Sequence, residues 1–228
     1  MMSEGPRVVA LIAARDEEAT IRRTVEAISR SGPAEIVVVD DGSSDATAAE
    51  ALAAGATVLR IPGGIGKGGA MEGALRRLPP ADVWLFADAD LGGSAEGLRA
   101  VVDEVKDGRA DLAVALFPAQ DRGGLGMVRR AAAAAILRLS GFEAQQPLSG
   151  QRAITADCLA AVRPLAGGFG VETAMTIDAV RAGFHVVEVP VSGLTHRATG
   201  RTLRGFWHRG RQGAQIARAA LARVARLR

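Results

Sequence analysis

At 228 residues, with 48% hydrophobic and 23% charged residues, the chain has the composition of one substantial soluble domain, and no apolar run approaches the roughly 20 residues that cross a bilayer. The single cysteine, Cys158, excludes an internal disulfide, and the first residues lack a basic leader followed by a long apolar run, so a cytoplasmic protein is expected. The net charge is only +3, but residues 189–228 hold nine arginines and no acid; taking those nine charges from +3 leaves −6 on residues 1–188. A basic tail on an acidic body calls for an anionic partner, a phosphorylated substrate or a lipid surface, while 4% aromatics and no tyrosine argue against nucleic acid.

Residues 7–14 form a continuous apolar run, the pattern of a strand covered on both faces, and Asp16, Glu17 and Glu18 place acid in the first turn of the helix expected next. Ile21, Val25 and Ile28 recur there at helical spacing until Ser31-Gly32-Pro33 ends it. Residues 35–40 read as a second buried strand, 41–45 as a turn into an alanine-rich helix, and 57–61 as a third strand. A glycine loop through Gly69, a helix over 70–78 and a strand over 81–87 follow. This alternation predicts an α/β fold, a mostly parallel central sheet with helices on both faces, binding ligands beyond the carboxyl ends of its strands. Downstream, the pattern predicts a helix over 94–106, a strand over 111–117, a polar glycine-rich loop over 120–126 and a helix over 127–139. A turn at 146–152 precedes a short strand and helix; another helix opens at Glu172 and runs to Ala182, and a last strand covers 185–191.

The polar clusters of the first half, around Arg15–Glu17, Asp40–Ser44 and Asp88–Asp90, each follow a strand and should converge on one crevice. If extended geometry persists past the fourth strand, Asp88 and Asp90 face the same side; carboxylates so close call for a cation, and hard oxygens suit Mg²⁺ or Mn²⁺. A lone Asp-x-Asp is more often a solvated turn, and only the neighbouring strand ends weigh against that. The loop at 63–69 offers backbone amides and Lys67, one of two lysines, in a setting suited to phosphate. It is not a Walker loop, because Gly68 follows the lysine and Ile61 stands where the first glycine is required. Asp40, Asp41 and Ser43 at the strand end can accept hydrogen bonds from a base or ribose, while Asp41 and Ser44 are equally suited to an Asx turn capping the next helix. Glu172 is either a helix-start cap or a functional carboxylate, and His196 either a surface residue or the completion of a cation site. In the tail, Ile216, Ala220, Leu221, Val224 and Leu227 share one face of a weakly amphipathic basic helix, which packs on the body or lies on lipid.

Ala13-Ala14-Arg15-Asp16-Glu17-Glu18, Val39 through Asp45, Gly66-Lys67-Gly68 and Asp88-Ala89-Asp90, in this order and spacing, resemble the nucleotide-sugar half of family 2 glycosyltransferases with the GT-A fold. Residues 146–150, 169–172 and His196-Arg197 look more like glucosyl-3-phosphoglycerate synthases and their bacterial relatives. The resemblance implies one domain over 1–228, with a nucleotide-sugar half at 7–93, an acceptor half at 94–200 and a basic C-terminal helix at 201–228. It implies transfer of a hexose from a nucleoside diphosphate sugar, UDP-glucose first, to an anionic phosphorylated acceptor. The rivals are a polyprenyl-phosphate acceptor at a membrane surface, or nucleotide-sugar binding without turnover. By the same resemblance Ala13, Ala14, Arg15, Glu17 and Asp41 hold the uridine, with Asp40 and Ala89 in the same nucleotide site; Gly66 and Lys67 hold the diphosphate. Asp88 and Asp90 meet the ribose and a Mg²⁺ or Mn²⁺ ion, His196 is the third metal ligand, and Leu148 and Glu172 lie near the sugar and acceptor. Asp90, Lys67 and Glu172 carry the catalytic expectation. A second copy of the chain and peripheral membrane contact through the tail complete the expected partners. The chain departs from the synthases at Ala13-Ala14-Arg15-Asp16, where they have Pro-Ala-Leu-Asn, and at Phe169, where they have Tyr. Acceptor identity therefore does not follow from the resemblance.

Overall fold

The computed structural model describes residues 5–61, 65–118, 126–167 and 170–195. In chain order the elements are β1 (Val8–Ala14), α1 (Ile21–Ser29), β2 (Glu35–Asp40), α2 (Thr47–Ala53), β3 (Thr57–Arg60), α3 (Gly66–Leu75), β4 (Val83–Asp88), a 3₁₀ run (Gly92–Leu98), α4 (Arg99–Lys106), β5 (Leu112–Leu116), α5 (Gly126–Ser140), β6 (Arg152–Thr155), α6 (Ala156–Val162), α7 (Val171–Arg181) and β7 (Val186–Pro190). The strands form one sheet in the order β3-β2-β1-β4-β6-β5-β7. Every pairing is parallel except those of β6, which runs antiparallel to both β4 and β5. The mostly parallel α/β fold expected from the sequence is the fold observed.

The continuous apolar runs arise because both sheet faces are covered. Along β1, Val8, Ala10, Ile12 and Ala14 enter one core and Val9 and Leu11 the other; β4 repeats this with Val83, Leu85 and Ala87 against Trp84 and Phe86. One core is closed by α1, the 3₁₀ run and α4, the other by α3, α6 and α7. Each fully buried Leu or Ile contributes roughly 1.5–3 kcal/mol relative to exposure, so these strands are held firmly and their carboxyl ends make a rigid platform.

Three local expectations are corrected. Helix α1 begins at Ile21 with no acid in its first turn, so Asp16, Glu17 and Glu18 belong to the turn before it. The glycine loop ends earlier than expected, since α3 starts at Gly66 and takes Lys67 into its first turn. The helix expected over 94–106 is a 3₁₀ run followed by α4.

Candidate active site

The register Ala14↔Asp40 and Ala13↔Asp88 brings the ends of β1, β2 and β4 to one edge. There the loops after β1 and β2 are laced together. Asp16 takes a left-handed φ of 54°, which Asp tolerates better than most residues, and its carboxylate accepts from Ser44 N at 2.8 Å and Ser44 Oγ at 3.1 Å. Glu17 N donates to Thr47 Oγ1 at 2.7 Å, and Asp41 N to the Ala14 carbonyl at 3.0 Å. Ala14 is buried, Ala13 is half-buried and Arg15 is exposed. Asp40 is 1% exposed and accepts from Ser43 N at 2.8 Å, closing the turn from inside. Its other oxygen faces Arg60 Nε at 3.4 Å without a hydrogen bond of sound geometry. Asp41 is buried and accepts from Gly66 N at 3.2 Å, which ties β2 to the start of α3.

Strand β4 ends at Asp88, and Ala89-Asp90 lie in a turn. The alternation argument for Asp88 and Asp90 therefore stops one residue short, and the turn itself sets where Asp90 sits. That turn is pinned to α1: buried Thr24 donates through Oγ1 to the Ala89 carbonyl at 2.9 Å and accepts from Gly92 N at 2.8 Å.

The centre of the site is Lys67. Its Nζ lies 2.5 Å from Asp88 Oδ1 and 2.8 Å from Glu172 Oε1, which joins α3, β4 and α7 through one ammonium. Burial works against the charged form, but Asp88 first and Glu172 next outweigh it and hold the Lys67 pKa above its ordinary value. Asp88 is gripped from the other side by Gln151, which accepts from Asp88 N at 2.9 Å and donates Nε2 to Asp88 Oδ2 at 2.8 Å. Gly150 permits this approach: a Cβ there would overlap Lys67 Nζ and come within 2.7 Å of Asp88 Oδ2. Gly68 is equally constrained, because a Cβ would overlap the Ala166 carbonyl. Glu72 completes that contact by accepting from Arg163 Nη2 at 3.0 Å and Leu165 N at 3.1 Å.

Against Lys67 and Glu172 lies a small solvent-connected cavity of about 10 Å³, bordered by Met71, Phe86, Gly150, Arg152, Val171 and Met175. Arg152 is 1% exposed; its Nε donates to the Ser149 carbonyl at 2.7 Å and Nη1 to Thr176 Oγ1 at 2.8 Å. Its Nη2 has no hydrogen-bond partner, and with Asp40 Oδ2 it makes the pair of buried, unpartnered side-chain polar atoms among the described residues. Burial pushes the guanidinium down to about 10, against the pull of Glu172, Glu188 and Asp88.

The structure thus brings Lys67, Asp88 and Glu172 into direct contact and sets Ala13, Ala14, Glu17, Asp41, Gly66, Ala89 and Asp90 along the same edge. Leu148 is half-buried in the turn that leads to Gly150. Asp40 is buried at the end of β2, bonded within its own turn. His196 and the basic tail lie outside the described residues. Sequence reasoning missed Gly150, Gln151 and Arg152. Their signal was a Gly-Gln-Arg run entering the apolar Ala153-Ile154, where a charged side chain has no ordinary place.

Among the described residues no three His, Cys, Asp or Glu side chains form a metal cage, and no helix is long and apolar enough to cross a membrane. The donor set still fits a hard divalent ion, because Asp88 and Asp90 offer carboxylate oxygens with no thiol nearby, and Mg²⁺ commonly takes one or two carboxylates plus substrate phosphates.

The model of the family described as glycosyl transferase family 2 matches residues 9–164. The chain belongs to glycosyl transferase family 2. Its match to Glycosyltransferase AglJ of Haloferax volcanii is 28% identical over 185 residues and covers 78% of this chain; the chain spans 59% of that relative's length. Two crystal structures of glucosyl-3-phosphoglycerate synthase from Mycobacterium tuberculosis are also similar. The complex with Mg²⁺ and UDP aligns with a TM-score of 0.82 and 27% identity, covering 96% of this chain and 79% of that one. The complex with Mn²⁺, UDP-glucose and phosphoglyceric acid gives 0.79 and 27%, covering 96% and 80%. With this likeness the family 2 sheet is of the GT-A type that the resemblance implied.

Proposed function

We propose that this family 2 protein transfers a hexose from a nucleoside diphosphate sugar, UDP-glucose in the first instance, to a small phosphorylated acceptor. The observation that carries the reading is Lys67 held between Asp88 and Glu172 at the edge where β1, β2 and β4 end. The uridine lies along Ala13, Ala14, Arg15, Glu17 and Asp41, and the diphosphate over Gly66 and Lys67, where the start of α3 supplies the positive dipole end. Asp88 and Asp90 hold a Mg²⁺ or Mn²⁺ ion, with His196 as the proposed third ligand, and its chemistry there is to neutralise charge on the departing diphosphate.

In this reading Lys67 serves in two places. Before binding, its charge is balanced by Asp88 and Glu172; as the anomeric bond weakens, the ammonium stabilises the leaving phosphate oxygens. Glu172, at the start of α7, orients the sugar or accepts the acceptor's proton, according to the stereochemical course. Residues 7–93 then form the nucleotide-sugar half and 94–200 the acceptor half. Support for the donor and acceptor comes from the likeness to a synthase crystallised with UDP-glucose and phosphoglyceric acid.

The test is release of UDP from UDP-glucose by the full chain with Mn²⁺ or Mg²⁺, with and without 3-phosphoglycerate. Acceptor-stimulated, metal-dependent release lost in Asp90→Ala supports the reading. A rate insensitive to metal and to that substitution refutes it. The basic tail favours a second acceptor class, a lipid-borne phosphate. Sedimentation with anionic liposomes, with and without residues 212–228, separates the two, and no binding by either form removes the lipid.

A further inference from the structure

A buried carboxylate and a buried guanidinium share the cavity beside Lys67, and only one of them has its charge answered there. Glu172 is 6% exposed, lies among Met71, Phe86, Val171 and Met175, and has Lys67 Nζ at 2.8 Å. That ammonium is shared with Asp88, and the proposed reaction draws it toward the donor's diphosphate. A carboxylate left in an apolar pocket without a cation is costly, because desolvation is no longer offset by pairing. Arg152 borders the same cavity from β6, fully buried, with Nε and Nη1 committed to Ser149 and Thr176 and Nη2 committed to nothing.

We infer that Arg152 is a positioning residue: its unpartnered Nη2 is the standby counter-ion that answers Glu172 when Lys67 turns to the diphosphate. The anchor bonds to Ser149 and Thr176 hold two of the guanidinium nitrogens and leave the third, Nη2, buried without a partner. A lysine keeps the charge but not the paired bonds to Ser149 and Thr176, so it separates the counter-ion role from the anchoring one. Glu188 and Asp88 are the other carboxylates that act on this guanidinium; Glu188 is tied to the amides of Gln145 and Gln146, and Asp88 to Lys67 and Gln151. When Lys67 turns away, Asp88 loses the same ammonium but keeps Gln151 and faces the proposed metal ion, so Glu172 is the carboxylate of the three left without a cation.

The inference rests on the proposed role of Lys67 at the diphosphate, so its first test is made without ligand. Thermal unfolding of the full chain is compared for Arg152→Met in three backgrounds: wild type, Lys67→Met, and Lys67→Met with Glu172→Gln. If Arg152 answers Glu172, Arg152→Met lowers Tm by about 5 °C or more beyond its wild-type effect in the Lys67→Met background. Restoring neutrality with Glu172→Gln removes that excess. Should the Lys67→Met, Arg152→Met pair not fold, folding of the triple variant supports the inference and its failure to fold overturns it. Equal penalties in all three backgrounds also overturn it, leaving Arg152 a purely structural residue and the proposed activity untouched. In turnover, Arg152→Met should lower kcat about tenfold or more with KM for UDP-glucose little changed, and Arg152→Lys should recover most of the loss. A lysine variant as impaired as the methionine one would mean that only the bonds to Ser149 and Thr176 matter. Absence of metal-dependent UDP release in the wild type would sink the transferase reading instead, while the unfolding comparison stands on its own.

Discussion

Gly150→Ala adds one methyl group and tests the geometry of the whole site. No positive φ holds this residue to glycine, so in open space the change would stabilise the chain by about 0.4–1 kcal/mol through the unfolded state. The space is not open: the new Cβ would overlap Lys67 Nζ and lie 2.7 and 2.9 Å from Asp88 Oδ2 and Oδ1. The lysine tip is flexible and swings aside, which spares a backbone shift, but doing so loosens contacts of 2.5 and 2.8 Å to carboxylates that are largely withdrawn from water. Since the ions stay close and only one leaves its place, the cost is below that of stranding a buried charge, about 1–3 kcal/mol. For a chain of this size that lowers Tm by roughly 2–4 °C per kcal/mol. With Lys67 in its proposed role at the leaving group, displacing it should lower the rate of UDP release about 10²-fold. Scanning calorimetry and the UDP-release assay read the two effects. An alanine variant with raised Tm and unchanged rate would refute the placement of Gly150 against the Lys67–Asp88 pair.

Asp90→Asn, a near-isosteric change in a part-exposed turn, should reduce metal-stimulated UDP release about 10²-fold; a Mn²⁺ titration checks it. Glu72 ties α3 to the segment at 163–165: burial pulls its pKa up, but the bonds from Arg163, the Leu165 amide and Arg76 outweigh that and hold the carboxylate below its ordinary range. A lowered folded-state pKa gives stability that is present above the unfolded value and lost as pH falls through the folded one. Glu72→Gln should therefore cost about 1–2 kcal/mol at neutral pH, with the gap to wild type closing on acidification in denaturant melts. Cys158 is fully buried, and burial, with Asp111 adding to it, pushes its thiol up to about 12. Ellman's reagent at pH 8 (roughly the free-thiol pKa) should find no reactive thiol until the chain is unfolded.

What could be read from the sequence was the part set by local pattern. Continuous apolar runs flanked by turn residues gave β1, β2 and β4, and because parallel neighbours end at one edge, the clusters after Ala14, Asp40 and Asp88 met as expected. What could not be read was set by partners far along the chain. Whether Asp88 and Asp90 share a face depends on where β4 stops, and Thr24, 65 residues upstream of Ala89, fixes that turn. Asp40, expected in the nucleotide site, is buried and accepts from Ser43 N, so part of its hydrogen-bonding capacity goes to its own turn.

The Gly150-Gln151-Arg152 cluster shows the same gap most clearly. Four residues of strand carry no sign of direction, and in a parallel sheet a segment before a strand would lie at the edge away from the site. Strand β6 is antiparallel to β4, with Phe86 opposite Arg152, so its beginning rather than its end reaches the catalytic edge. That reversal sets Gly150 beside Asp88, gives Gln151 both its hydrogen bonds, and makes Arg152 part of the cavity wall that Glu172 shares. Side chains alternate along a strand, so a slip of one residue would exchange the places of Gln151 and Arg152, leaving Asp88 without its second partner and the cavity without its guanidinium. The one strand that breaks the parallel pattern therefore supplies the contacts that hold the acidic and basic groups of the site together.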